Sequence, residues 1–208
     1  MERSLSVLLV VRNCQRTLAQ DVAALTEVLP DLTDRWEVIL VDDGSTDATC
    51  EIVDELSHEY PQVRCFRYRE QRGRVEAIRA ALSRSRGKIV CIPDPRRPLS
   101  PSVLFRMWKA TEEYDVVLAG IPKQARRTGV AGFGYAMIYR RAIDPLMPYL
   151  GSLDRLPAAL ERLGYSWCDV EATCAATQVG EPIKRPHMLA RESRREMSLG
   201  GRRSESMR

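Results

Sequence analysis

The sequence predicts an α/β protein built on a doubly wound, mostly parallel sheet. Three observations carry that expectation. Short apolar runs of strand length recur at Leu5 to Val11, Val38 to Val41, Lys88 to Pro93 and Asp115 to Ala119, with no alternation of the kind a half-wetted sheet would show. Stretches with apolar residues at helical spacing stand between them. The second run ends in Asp42-Asp43-Gly44, which puts acids at the carboxyl edge of a sheet, where open α/β folds bind ligands.

Taken in order, Leu5 to Val11 forms the first strand and Asn13 follows it directly. Leu18, Val22, Leu25 and Val28 mark the buried face of a helix that Pro30 and Asp31 close. Val38 to Val41 is the central strand. Gly44 permits a tight turn, and Ser45 or Thr46 caps a helix whose first turn carries Asp47 and whose core face is Ile52, Val53 and Leu56. Val63 to Tyr68 alternates and reads as a third, less buried strand. Ala77, Ile78, Ala81 and Leu82 share the face of the next helix. Lys88 to Pro93 is the fourth strand, with Asp94 at its end. Ser100 as N-cap and Pro101 at the first helical position open a helix that buries Val103, Leu104, Met107 and Trp108. Asp115 to Ala119 is the fifth strand. A helix with Leu156, Leu160 and Leu163 and a strand near Tyr165 to Val170 close the domain. Strands and helices alternating in this way favour right-handed crossovers and a parallel sheet.

The 208 residues fit one domain with a sizeable core, expected over 1–184. From Arg185 onward the chain carries seven Arg and three Glu, an excess equal to the whole net charge of +4. This stretch, 185–208, is poor in large apolar groups and reads as a mobile basic tail, with peripheral contact to an anionic membrane surface as its one suggested role. No basic stripe interleaves with aromatics, so a nucleic-acid partner is not expected. The six cysteines are scattered without CxxC spacing, and no run reaches membrane length, which together suggest reduced thiols in a cytoplasmic protein.

The stretch Val38 to Thr49, VILVDDGSTDAT, resembles the nucleotide-sugar motif of family 2 glycosyltransferases. Those enzymes have the Rossmann-like GT-A fold and transfer a sugar from a nucleoside diphosphate to an acceptor. The resemblance covers roughly Ser6 to Thr173. Asn13 is kept from the family's base-contacting turn, but Val10, Arg12 and Cys14 stand where Pro, Tyr and Glu are usual. Gln71-Arg72-Gly73-Arg74 resembles the family's Asn-Arg-Gly-Lys turn, which puts Arg72 and Arg74 beside a helix N-terminus able to receive phosphate oxygens. Asp94-Pro95-Arg96 resembles the Asp-x-Asp motif with Arg96 in the second acid's place. Gly132-Phe133 and Ile138 to Arg141 resemble the family's Gly-Phe-Arg segment and the helix start after it. Thr128 stands roughly where an Asp base is usual, so no base is assigned.

The resemblance therefore implies a nucleoside diphosphate sugar donor. Asp42 and Asp43 would contact base and ribose, Asn13 the base, and Asp94 the ribose or diphosphate, with Arg72, Arg74 and Arg96 neutralising phosphate. In the family the second Asp of Asp-x-Asp helps hold Mg²⁺ or Mn²⁺, cations that need oxygen ligands. Arg96, with Arg97 beside it, disfavours such an ion and leaves Asp94 as its one remaining ligand. Two readings follow: metal-free transfer in which guanidinium groups stabilise the leaving diphosphate, or a catalytically inactive binding or scaffold protein on the same fold. A phospho-receiver domain also pairs acids at a sheet edge, but it needs an Asp after the third strand, where Tyr68-Arg69 stands.

Overall fold

The computed structural model describes residues 3–93, 100–120, 133–151 and 153–171. Its centre is a seven-stranded sheet, and the chain runs β1 (Leu5–Val11), α1 (Leu18–Leu32), β2 (Trp36–Asp43), α2 (Thr49–Glu59), β3 (Val63–Tyr68), α3 (Arg74–Arg84), β4 (Ile89–Pro93), α4 (Pro101–Ala110) and β5 (Val116–Gly120), followed by β6 (Phe133–Tyr139), α5 (Ile143–Leu146), α6 (Leu156–Leu163) and β7 (Trp167–Glu171). The strand order is β3-β2-β1-β4-β6-β5-β7. All pairings are parallel except those of β6, which lies antiparallel between β4 and β5. This is the expected mostly parallel, doubly wound α/β sheet.

Both faces of the sheet are covered, which is why β1 and β2 are apolar without alternation. Val38 and Leu40 pack on one side with α1, α2 and α4, while Ile39 and Val41 pack on the other with α3, α5 and α6. Met107 and Trp108 belong to the first of these cores, as expected.

Several local expectations need correction. Helix α1 does not stop at Pro30 but runs through it to Leu32. A proline in the last turn forfeits one backbone hydrogen bond, and continuing the helix buries Leu32, which with Leu29 takes the place expected of Val28. Helix α2 starts later than Ser45 or Thr46 would set it, with Ala48 at the N-cap position, and Asp47 holds the turn before it: the Thr49 amide and hydroxyl donate to Asp47 Oδ1 at 3.0 and 2.5 Å. Ser100 is the N-cap residue of α4 with Pro101 in the first turn, as expected, but its hydroxyl pairs with that of Ser102 at 3.1 Å rather than with an amide. Leu163 is 42% exposed, and Ala159 takes its place on the buried face of α6. Strand β6 had no counterpart among the elements expected from the sequence.

The geometry at the middle of the sheet sets the site. Strand β1 stays paired with β2 as far as Val11 and Asp42, but its ladder with β4 ends at Val7 and Cys91. The chain winds from β1 outward to β2 and β3 and then returns to β4 on β1's other side, so this opening at the carboxyl edge lies at the topological switch point.

Candidate functional site

Asn13, Asp42 and Asp43 meet at the carboxyl edge of β1 and β2, but the structure gives them different work. Successive side chains of a strand point to opposite faces, so two adjacent acids cannot face the same partner. Asp42 lies on the α2 side. Its Oδ1 accepts the Ser45 amide at 2.9 Å and the Ser45 hydroxyl at 2.5 Å. Its Oδ2 is buried and has no hydrogen-bond partner among the described residues. An orphaned carboxylate oxygen costs the fold free energy, and such an atom at a sheet edge marks a place where a ligand donor belongs.

Asp43 lies on the α3 side, and both of its oxygens are engaged. The Arg72 amide donates to Oδ1 at 2.7 Å, and the Gly73 amide lies 3.2 and 3.0 Å from Oδ1 and Oδ2. The turn before α3 is thus hooked onto the end of β2. Gly44 allows it to come so close: a Cβ there would lie 2.6 Å from the Gln71 nitrogen and 2.7 Å from the Glu70 carbonyl carbon. Gly44 also has φ +71°, a conformation that favours glycine.

Asn13 ties the end of β1 to the same turn. It adopts φ 52°, its side-chain oxygen accepts the Thr46 amide at 2.9 Å, and its own amide donates to the Ser45 hydroxyl oxygen at 3.0 Å. The Cys14 amide donates to Thr49 Oγ1 at 2.8 Å, and the Ala48 amide to Gln15 Oε1 at 3.1 Å. The hydroxyl that orients Asp42 is therefore itself held by the end of β1. Asp47, bonded by the Thr49 hydroxyl, sits below the ordinary carboxylate range.

The cations divide in the same way. Arg74 opens α3, and its Nη2 donates to the Pro93 carbonyl at 2.9 Å, across the opening between β1 and β4. Arg72 is exposed, and its guanidinium has no partner among the described residues. The same is true of Arg12, which follows Val11, the register partner of Asp42. The resemblance registered Arg12 only as a missing Tyr. Its position one residue before Asn13 was the signal that it belongs to this edge. Tyr135, also missed, holds the Ser100 amide on its hydroxyl at 3.0 Å. Asp94 and Arg96 lie outside the described residues, as do Thr128 and the 185–208 tail.

Among the described residues no three acid, histidine or cysteine side chains gather where a metal could sit. Asp43 has both oxygens committed to amides, and Asp42 offers a single oxygen. The described donor set therefore does not fit a divalent ion.

An open polar depression of about 530 Å³ at the opposite, amino edge is a weaker candidate. Its arginines are spent within it, Arg3 on Glu112 at 3.0 Å and Arg141 on Asp115. No helix among the described residues is long and apolar enough to cross a membrane.

Comparison with known proteins bears on this edge. A dolichyl-phosphate β-glucosyltransferase of Trichomonas vaginalis is 37% identical over 65 residues, 31% of this chain and 19% of that protein. An uncharacterized glycosyltransferase of Bacillus subtilis is 28% identical over 138 residues, covering 65% and 42%. An undecaprenyl-phosphate 4-deoxy-4-formamido-L-arabinose transferase of Salmonella choleraesuis is 29% identical over 127 residues, covering 60% and 38%. The matched segments thus span less than half the length of these relatives. Glucosyl-3-phosphoglycerate synthase of Mycobacterium tuberculosis, solved with Mn²⁺, UDP and glucosyl-3-phosphoglycerate, shares the fold with a TM-score of 0.62 at 21% identity, over 81% of this chain and 70% of that one. A mannosyltransferase of Pyrobaculum calidifontis, solved with GDP-mannose and Mn²⁺, gives 0.59 at 18% identity, over 83% and 56%. The profile of glycosyl transferase family 2 matches residues 6–160, and with a GT-A sheet and the DDGSTD edge in place, the chain belongs to that family.

Proposed function

We propose that this chain transfers a sugar from a nucleoside diphosphate sugar, and that the donor sits in the opening between β1 and β4. The observation that carries the reading is the buried, unpartnered Oδ2 of Asp42, held rigidly through Ser45. A fixed acceptor of this kind suits a base with a ring N–H, as in uracil, thymine or guanine. Cytosine and adenine carry a bare ring nitrogen at the corresponding place and would have to donate from the exocyclic amine beside it, in a shifted pose. Arg72, and Arg96 from its place in the sequence, would supply positive charge to the departing diphosphate without a metal.

The acceptor we propose is a polyprenyl phosphate, the acceptor class named for two of the relatives above. A hydroxyl acceptor needs a base to take its proton, and the sequence nominates none. A phosphate monoester has a second pKa of about 6 and is already ionised at neutral pH, so its oxygen can attack the anomeric carbon unaided while the nucleoside diphosphate leaves. The stretch 121–130, IPKQARRTGV, carries Lys123, Arg126 and Arg127 and no acid, a composition that suits an anionic acceptor.

The test is transfer of labelled sugar from UDP- and GDP-linked donors to undecaprenyl phosphate in detergent, with EDTA and with Mn²⁺. Product formation that persists in EDTA is expected. Nucleotide binding without transfer or donor hydrolysis under either condition would favour the inactive binding or scaffold reading, which Arg96 in an acid's place keeps in play.

A further inference from the structure

The geometry points to Asp43 and Arg74 as positioning residues that fix the width of the opening between β1 and β4, an inference that rests on the donor-site reading above. Parallel ladders hold strands about 4.8 Å apart for as long as their bonds continue. Here β1 is bonded to β4 only from Leu5 to Val7, while its bonds to β2 continue to Val11. Beyond Cys91 no ladder bond from β1 sets where the end of β4 lies relative to β1, although its pairing with β6 continues to Pro93 and Tyr135. The connection is made instead by side chains that bypass β1. Asp43 takes the Arg72 and Gly73 amides at 2.7 and 3.0 Å, which fixes the start of α3 to the end of β2. Arg74, the first residue of α3, then holds the Pro93 carbonyl at 2.9 Å. Gly44 lets the hooked turn lie directly against the strand end. Tyr135 grips the chain again at Ser100, the first described residue after Pro93.

The chain from Asp43 to Arg74 to Pro93 therefore spans the opening from β2 to β4. It also gives the acids of the DDG motif separate tasks: Asp42 presents an oxygen, and Asp43 holds the frame in which that oxygen meets the far wall. The inference departs from a direct phosphate contact by Arg74, since here the guanidinium acts on the backbone of β4.

The test measures equilibrium binding of UDP, dTDP and GDP, and of the matching monophosphates, to the full chain and to Arg74→Gln, Arg74→Lys, Asp43→Asn and the Asp43→Asn/Arg74→Gln double variant. Circular dichroism confirms folding, and Arg74→Gln serves should Asp43→Asn not fold. We expect Arg74→Gln to weaken the preferred nucleotide about tenfold, by the same factor for mono- and diphosphate, and Arg74→Lys to restore most of the loss. We expect the double variant to bind no more weakly than the weaker single one, because both act through one connection. Unchanged affinity in folded Arg74→Gln, loss confined to the diphosphate, or additive losses would each overturn the inference while leaving the donor site standing. A wild-type chain that binds no nucleotide would overturn the donor-site reading and this inference with it.

Discussion

Replacing Gly44 by alanine tests the clasp at the end of β2 in the free protein. The added methyl would meet the Gln71 nitrogen at 2.6 Å, the Glu70 carbonyl carbon at 2.7 Å and the Glu70 Cα at 3.1 Å, all of them backbone atoms that no rotamer change can move aside. The φ of +71° adds strain. A left-handed backbone costs an alanine about 1 kcal/mol, forced overpacking about 1–3 kcal/mol, and each hydrogen bond from Arg72 or Gly73 to Asp43 lost as the turn lifts about 1 kcal/mol. With one of those bonds lost, the expected loss is about 3–5 kcal/mol, or a fall in Tm of roughly 6–20 °C for a chain of this size. Gly164→Ala is the internal control. That residue closes α6 with φ +73° and no atom within 4 Å of its Cβ position, so it should pay the strain alone, about 1 kcal/mol. Urea unfolding of the two variants beside wild type gives the difference. Losses equal within about 0.5 kcal/mol, the usual scatter between independent sites, would refute the close approach of the 70–73 turn.

Asp42→Asn should weaken nucleotide binding about tenfold or more while changing Tm little, because the variant keeps an oxygen for the Ser45 bonds and replaces the orphaned Oδ2 acceptor. Isothermal calorimetry and a thermal scan read the two effects separately. Burial pushes Glu37 up, but hydrogen bonds from the Ser6 hydroxyl, the Arg86 amide and Arg64, with the charge of Arg64, outweigh it and hold the carboxyl below its ordinary value of 4.5. A depressed carboxyl stabilises the fold above that value and loses its contribution as pH falls through the folded pKa, so this share of the stability should fade below pH 4.5, and the slope of stability against pH there should flatten in Glu37→Gln. Burial pushes the thiols of Cys91 and Cys168 up to about 12, so both should resist a thiol reagent until unfolding, whereas exposed Cys65 should react in the native protein.

What the sequence showed and what it hid have physical causes. Strands buried on both faces announce themselves as unbroken apolar runs, and β1, β2, β4 and β5 were legible for that reason. Strand β6 was not. Phe133 to Tyr139, FGYAMIY, has the composition of a strand, but its antiparallel insertion between β4 and β5 depends on long-range pairing that no local pattern records. Pro30 read as a stop because a proline ends a helix only when nothing beyond it is worth burying, and Leu32 lies beyond it. At the site, the clustering of Asn13, Asp42 and Asp43 was readable from strand ends, but their division of labour was not drawn from the sequence. The period of two that turns adjacent residues to opposite faces was already present in β2, and it separates Asp42 from Asp43. The bond from Arg74 to Pro93 joins residues brought together only by the α3 crossover, and it left no mark in the sequence beyond a cation at the start of a helix.

The central claim is that the carboxyl-edge opening receives a nucleoside diphosphate through Asp42. Its most direct test is the thermal shift of the wild-type chain with UDP, dTDP, GDP and CDP, each in EDTA and in Mn²⁺, beside Asp42→Asn. A ligand that binds the native state raises its midpoint with the logarithm of concentration over Kd. The account predicts that UDP, dTDP or GDP, and not CDP, raises Tm in EDTA, and that Asp42→Asn cuts the shift at the same nucleotide concentration. No shift with any nucleotide, or a shift that Asp42→Asn leaves intact, would contradict it.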